Sequence, residues 1–222
     1  MTWKQVFISS VGRKLTMGLT GIFLILFLIV HAGLNACIWA NDGGEMFNRA
    51  AHFMGGNWVP RILEIGLFVF IILHIVQGLM LEASNRGKRG IGYQVNYAKG
   101  SKWYSRSMGL LGTIILLFLI LHLSDFWGPN RVSQKFLLSG EIDLYAKMKE
   151  TFTVGWHVGL YIIGCIALCY HLMHGFQSAF RSLGVHNQKY LSALNCIGVG
   201  FAIIVPLVFA MMPLSFYFGW LQ

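Results

Sequence analysis

Long apolar runs separated by short polar stretches account for most of the chain. Five runs stand out, at about Leu15–Trp39, Trp58–Ala83, Tyr104–Trp127, Phe152–Phe180 and Tyr190–Trp220. At 1.5 Å per residue, each is long enough to cross ~30 Å of hydrocarbon with tilt to spare. Lipid cannot satisfy an open backbone, so all five are expected to be helices. Trp39, Trp58, Trp103, Tyr104, Trp127 and Trp220 cluster at the run ends, where amphipathic rings sit at headgroup level. Pro206 and Pro213 fall in the fifth run and predict a kink or a broken end there.

The runs repeat. Met17–His31 reads MGLTGIFLILFLIVH and Met108–His122 reads MGLLGTIILLFLILH, with nine of fifteen positions identical. The second and fourth runs share a looser pattern, His-x3-Gly-x8-Gly, at His74, Gly78, Gly87 and at His171, Gly175, Gly184. Runs one and two therefore recur as runs three and four in the same orientation, with a fifth added. Parallel repeats about an axis along the membrane normal are an established membrane architecture. The expected fold is all-α: a four-helix bundle plus a fifth transmembrane helix, in a single domain over residues 1–222.

Composition sharpens this reading. Hydrophobic residues make up 56% of the chain and charged residues 11%, against about 25% charged in a soluble domain. A soluble enzyme and a disordered chain are both excluded. The first run is too long for the apolar core of a cleaved signal peptide. Seventeen Lys and Arg against eight Asp and Glu give a net charge of +9. In a membrane chain this excess belongs to cytoplasmic loops, and no nucleic-acid partner is expected. Eleven of the seventeen basic residues fall on one side: Lys4, Arg13 and Lys14; Arg86, Lys88, Arg89, Lys99, Lys102 and Arg106; Arg181 and Lys189. The other side carries Asp42, Glu45, Glu141, Asp143 and Glu150. The N-terminus is therefore expected in the cytoplasm and the C-terminus outside. Cys37, Cys165, Cys169 and Cys196 form no CxxC and support neither a zinc site nor a disulfide framework.

Four runs each hold a histidine deep in the apolar span: His31, His74, His122 and His171. Polar residues at such depth are costly and usually functional. Runs one and three point outward, and His31 and His122 lie eight and five residues before Trp39 and Trp127. Runs two and four point inward, and His74 and His171 each lie nine residues before the run end. The four thus form two levels, roughly 10–13 Å apart on the helical rise. Two facing imidazoles at each level suggest two haems, each with both axial positions filled and suited to electron transfer. Gly78 and Gly175 lie one turn after His74 and His171 on the same face. There they leave room for a flat macrocycle; close helix packing is the other use of such glycines. His174 is the alternative to His171 as the fourth ligand. A hydrogen-bonded core role, and a metal or proton path, are the competing uses of the four. His52 and His186 read as solvated loop residues, and His157 as an interfacial one.

At these residues the chain resembles the cytochrome b membrane anchor of succinate dehydrogenase and fumarate reductase, in the single-anchor, five-helix, dihaem class. Ser9–Gly21 (SSVGRKLTMGLTG) resembles the family's first-helix entry, and Tyr170–Phe180 (YHLMHGFQSAF) its fourth-helix motif. The resemblance implies that His31 and His122 hold the distal haem b and His74 and His171 the proximal one. It implies a respiratory role in a bacterial cytoplasmic membrane, with electrons passing to membrane quinone, menaquinone being the expected species. It also implies two cytoplasmic partners, an FAD-bearing flavoprotein and an iron–sulfur subunit. This chain has no dinucleotide fingerprint or iron–sulfur cysteine set of its own, so the dicarboxylate chemistry belongs to those partners. At Cys169 the chain departs from relatives that carry a glutamate. The cytochrome b of a hydrogenase or formate dehydrogenase, and a haem-free transporter, are the alternative functions.

Quinone chemistry couples electrons to protons and needs a titratable group. Glu64, ten residues before His74, lies roughly 15 Å outward of it, near the level of His31 and His122. It is the expected proton-handling group as a partly desolvated carboxylate, with pairing to Arg61 as its competing role. Asn35 and Asp125 are neighbours by depth. The inner face, around Ser9, Lys14 and Thr16, is the alternative quinone location.

Overall fold

The computed structural model describes residues 9–87, 103–131 and 142–221. Among these, five helical stretches are long and apolar enough to cross a membrane, so the chain is a multi-pass membrane protein. The first is α1 (Ser10–Asn35), which passes into a 3-10 turn over Ala36–Ala40. Ser9 caps it, its hydroxyl accepting from the Gly12 amide at 3.0 Å and so satisfying one of the open N–H groups of the first turn. A short surface helix follows, α2 (Glu45–Gly56), and then the second span, α3 (Trp58–Gly87). After one turn, α4 (Trp103–Arg106), the third span begins as α5 (Met108–His122). It continues through a π-helical turn, Leu123–Trp127, to Arg131. A second surface helix, α6 (Leu144–Phe152), precedes the fourth span, α7 (Gly155–Ser182), and the fifth, α8 (Gln188–Tyr217).

All five expected spans are present, with ends shifted by a few residues. Two differences matter. Pro206 and Pro213 do not break the fifth span: α8 runs through both, and both are buried, because neighbouring helices can shelter the backbone groups a proline frees. The stretches between spans one and two and between three and four are not plain loops, since they fold as α2 and α6. The basic residues Lys4, Lys88, Arg89, Lys99 and Lys102, and Glu141, lie outside the described residues.

Packing closes the bundle. Helix α1 packs on α3, α3 on α5, α5 on α7, and α7 back on α1, while α8 lies mainly against α7. The repeat thus forms a ring of four in which α1 faces α5 across one diagonal and α3 faces α7 across the other. Close approaches mark the seams. A Cβ on Gly164 would stand 2.5 Å from the ring of Phe118, and one on Gly18 would stand 3.0 Å from the Ala179 carbonyl. The outer flanks of the ring are apolar and exposed, as at Leu26, Ile29, Ile65, Val69, Leu117 and Ile120, which is what a lipid solvent requires.

One end of the bundle is roofed by the chain itself. Ile38, Phe47, Tyr145, Met148, Phe152, Val158, Tyr161, Met212 and Phe216 form a single apolar cluster, drawn from the 3-10 turn, α2, α6, α7 and α8. At roughly 25 cal/mol per Å2 of apolar surface buried, aromatic side chains of this size dominate the attachment of α2 and α6. A tight turn enters α2: Asn41, Gly43 and Gly44 all have positive φ. Asp42 accepts from the amides of Gly44 (3.0 Å) and Met46 (2.9 Å). Gly44 lies so close to the ring of Tyr145 that an added Cβ would stand 2.2 Å from it. Asp143 then ties the two roof helices, accepting from the Ala146 amide at 2.9 Å and from the Asn48 side chain at 2.8 Å.

Candidate functional site

The four deep histidines meet in two pairs, one on each diagonal of the ring. His31 on α1 faces His122 on α5, with ring centres 5.8 Å apart. His74 on α3 faces His171 on α7, with ring centres 6.2 Å apart. Both pairings are those expected from depth alone. Of the two candidates on α7, His171 is the one whose ring faces His74. Two imidazoles on opposite sides of one metal stand about 6 Å apart centre to centre, taking ~2 Å for each metal–nitrogen bond and roughly 1 Å from nitrogen to ring centre. Edge-to-face packing of two rings spans the same distance. Packing leaves something over, however: Nδ1 of His122 and Nδ1 of His171 are buried with no hydrogen-bond partner. A buried ring nitrogen free of any protein partner costs stability, so packing alone does not account for these two imidazoles.

The surroundings of the pairs are unequal. His31 and His122 sit among aromatic rings: Phe27 stacks on His31 at 5.1 Å and Phe118 on His122 at 5.7 Å, with Phe126, Tyr161 and Phe209 close by. Asn35, one turn beyond His31, donates from Nδ2 to the His31 carbonyl at 2.8 Å and lies 3.3 Å from His31 Nδ1. For the other pair, Thr20 Oγ1 lies 3.2 Å from His74 Nδ1. The glycines differ from the packing glycines of the seams. A Cβ on Gly175 would meet only the ring of His171, at 4.0 Å, and one on Gly78 only the flexible end of Met17, at 3.5 Å. Neither backbone is in close contact with a neighbouring helix, which leaves room for a flat ligand.

Glu64, the expected proton-handling carboxylate, has partners on both its own helix and another. It bridges the first turns of α3 and the last turns of the third span. It accepts from Trp127 Nε1 at 2.6 Å and from Arg131 through both Nε (3.2 Å) and a terminal guanidinium nitrogen. Arg61, the partner expected from spacing, stands at 3.5 Å. Arg131 was not visible as a partner because it is 67 residues away in the chain, beyond any local spacing rule. Asp125 sits in the π turn just past His122 and accepts from the Tyr161 hydroxyl at 2.8 Å; that ring packs 6.1 Å from His122. Of the inner-face alternatives, Ser9 is the cap of α1 and the Thr16 carbonyl accepts from Thr20 at 2.8 Å. His52 is exposed on α2 rather than in a loop, and His186 is exposed between α7 and α8. The His157 ring lies tilted against Trp156, with ring centres 3.7 Å apart, and its Nδ1 is buried without a hydrogen-bond partner.

No family model and no solved structure matches the chain. Among curated proteins, the succinate dehydrogenase cytochrome b558 subunit of Bacillus subtilis (strain 168) is 27% identical over 166 residues, which is 74% of this chain and 73% of that protein. The likeness covers about three quarters of both chains. It bears out the resemblance read from the helix motifs: this five-span membrane protein is similar to the cytochrome b membrane anchor of succinate dehydrogenase.

Proposed function

We propose that the chain is the dihaem membrane anchor of a succinate:quinone oxidoreductase, linking an iron–sulfur partner to membrane quinone. The observation that carries this is the pairing of four deep histidines across the two diagonals of the ring, with ring centres 5.8 and 6.2 Å apart. His31 and His122 would hold one haem b, and His74 and His171 the other. Gly78 and Gly175 leave the backbone open beside the second pair. Bound haem supplies a one-electron couple at each level. The protein's own part is to fix the imidazoles, keep water away and present a polar path at the outer end. Phe27, Phe118, Phe126 and Tyr161 exclude water around the outer pair. Glu64, with its carboxylate held by Trp127 and Arg131, is the polar group we assign to quinone at that level. Menaquinone is the species we expect.

The FAD-bearing flavoprotein and the iron–sulfur subunit would dock on the end that carries Arg13, Lys14, Arg106, Arg181 and Lys189. That end would face the cytoplasm of a bacterial cell. The test is haem quantitation on the purified complex with its partners identified. Two b-type haems per chain and a flavin-bearing partner are expected. Replacing His31 or His122 should remove mainly one haem, and replacing His74 or His171 mainly the other. One haem, or none, would refute the dihaem reading. A hydrogenase or formate dehydrogenase partner would refute the succinate one.

A further inference from the structure

The internal repeat sets Met17–His31 of α1 against Met108–His122 of α5, and α1 packs on α3 as α5 packs on α7. A strict repeat would give His74 and His171 the same surroundings, yet the two differ at Nδ1. Thr20, 1% exposed, stands in register with Leu111, 5% exposed. Thr20 Oγ1 lies 3.2 Å from His74 Nδ1, and the same hydroxyl donates to the Thr16 carbonyl at 2.8 Å. A hydroxyl has one proton to give. With that proton on Thr16, a usual arrangement for threonine inside a helix, the oxygen faces His74 as an acceptor. His74 then carries its proton on Nδ1 and leaves Nε2 a bare lone pair. His171, on the side of the repeat that has Leu111, has Nδ1 buried and without a partner.

The outer pair has no such device. Asn35 approaches His31 Nδ1 with an amide nitrogen, at 3.3 Å. That nitrogen donates to the His31 carbonyl at 2.8 Å and, having no lone pair to offer, gives the ring no acceptor.

We propose that Thr20 is a positioning residue for the inner pair: it fixes the tautomer and ring orientation of His74 so that Nε2 is the ligand atom, a tether the second repeat denies to His171. The proposal rests on the reading of His74 as an iron ligand. An acceptor on the far nitrogen of a metal-bound histidine holds the ring and raises its basicity, and losing one costs about 10–100-fold in affinity. The two ligands of the inner pair are therefore unequal, one tethered and one not.

The test compares the purified complex of the parent with Thr20→Val, which keeps the shape and removes the acceptor, and Thr20→Ser, which keeps the acceptor. Thr20→Ala repeats the removal with no demand on space. Haem content, the rate of haem loss to a soluble scavenger and the midpoint potential of each b-type band are read separately. In Thr20→Val and Thr20→Ala the inner haem should leave about 10-fold faster. Its potential should rise, because a less basic imidazole stabilises ferric iron less. The outer band, unchanged, reports that the bundle is intact, and Thr20→Ser should behave as the parent. A haem-bearing parent whose valine and alanine variants keep the inner band, its potential and its loss rate would overturn the proposal alone. So would a serine variant as impaired as valine, since the effect would then be packing. A parent with no haem would overturn the reading beneath it as well.

Discussion

Gly175 separates the packing use of a glycine from the cofactor use more sharply than any histidine does. Its added Cβ would meet nothing but the ring of His171 at 4.0 Å, and alanine is the better helix former by about 1 kcal/mol. On protein contacts alone, Gly175→Ala should be harmless or mildly stabilising. If the open backbone accommodates a macrocycle, the same substitution should lower the occupancy of the inner haem while sparing the outer, as read from the two b-type bands. An inner band at parental strength would return this glycine to helix packing. Glu64→Gln should keep both bands and succinate oxidation with an artificial acceptor, yet lose most quinone-linked turnover; full turnover would move the quinone away from α3. Asp143, well outside the spans, carries a pH dependence. The Ala146 amide it caps, with help from Asn48 and the Tyr145 amide, holds its carboxyl below the usual carboxylate range. Its folded value lies under the unfolded value of about 3.9. Its stabilisation is therefore complete above that pH and lost as acidification passes the folded value. Asp143→Ala should cost about 1 kcal/mol at the start of α6. Exchange of the Ala146 amide should quicken about 5-fold at neutral pH, and the parent should approach the variant only in acid.

At the scale of elements, the spans and their histidine pairs were readable because each rests on a periodic or countable signal. Apolar length fixes a span. Residue count along a helix fixes depth, and depth alone paired His31 with His122 and His74 with His171. What was not readable depends on contacts remote in sequence. Helices α2 and α6 are short, and they owe their place to a roof cluster that includes Phe152 and Phe216. The π turn after His122 carries no local signature in Leu123–Trp127, yet it sets Asp125 against Tyr161. Spacing offers Glu64 only Arg61 as a competing partner, whereas its stronger partner, Arg131, comes from another helix. Thr20 did carry a signal: it is the polar member of a position where the repeat has leucine. The seam between α5 and α7 offers a test at this scale. A Cβ on Gly164 would stand 2.5 Å from Phe118, and Phe118 stacks on His122. Gly164→Ala should therefore overpack the seam by about 1–3 kcal/mol and disturb the outer b-type band before the inner one. Equal damage to both bands would mean that the strain spreads through the ring of helices.

For the whole molecule, the bundle is asymmetric from end to end. One end is closed by its own aromatic roof, while the other carries Arg13, Lys14, Arg106, Arg181 and Lys189 around the helix termini. Cysteines placed at His186 and at Arg49 should test the sidedness: the first should react with a membrane-impermeant maleimide only in inside-out vesicles, the second only in right-side-out ones. The reverse pattern would turn the molecule over. The diagonal pairing has a further consequence, and it concerns time. The chain emerges from the ribosome from its first residue onward. Both imidazoles of the outer pair exist once residue 122 has been added, whereas the inner pair waits for residue 171. The two sites therefore come into being at different moments of synthesis, the outer one first, and α7 supplies both the last ligand and the wall that closes the ring.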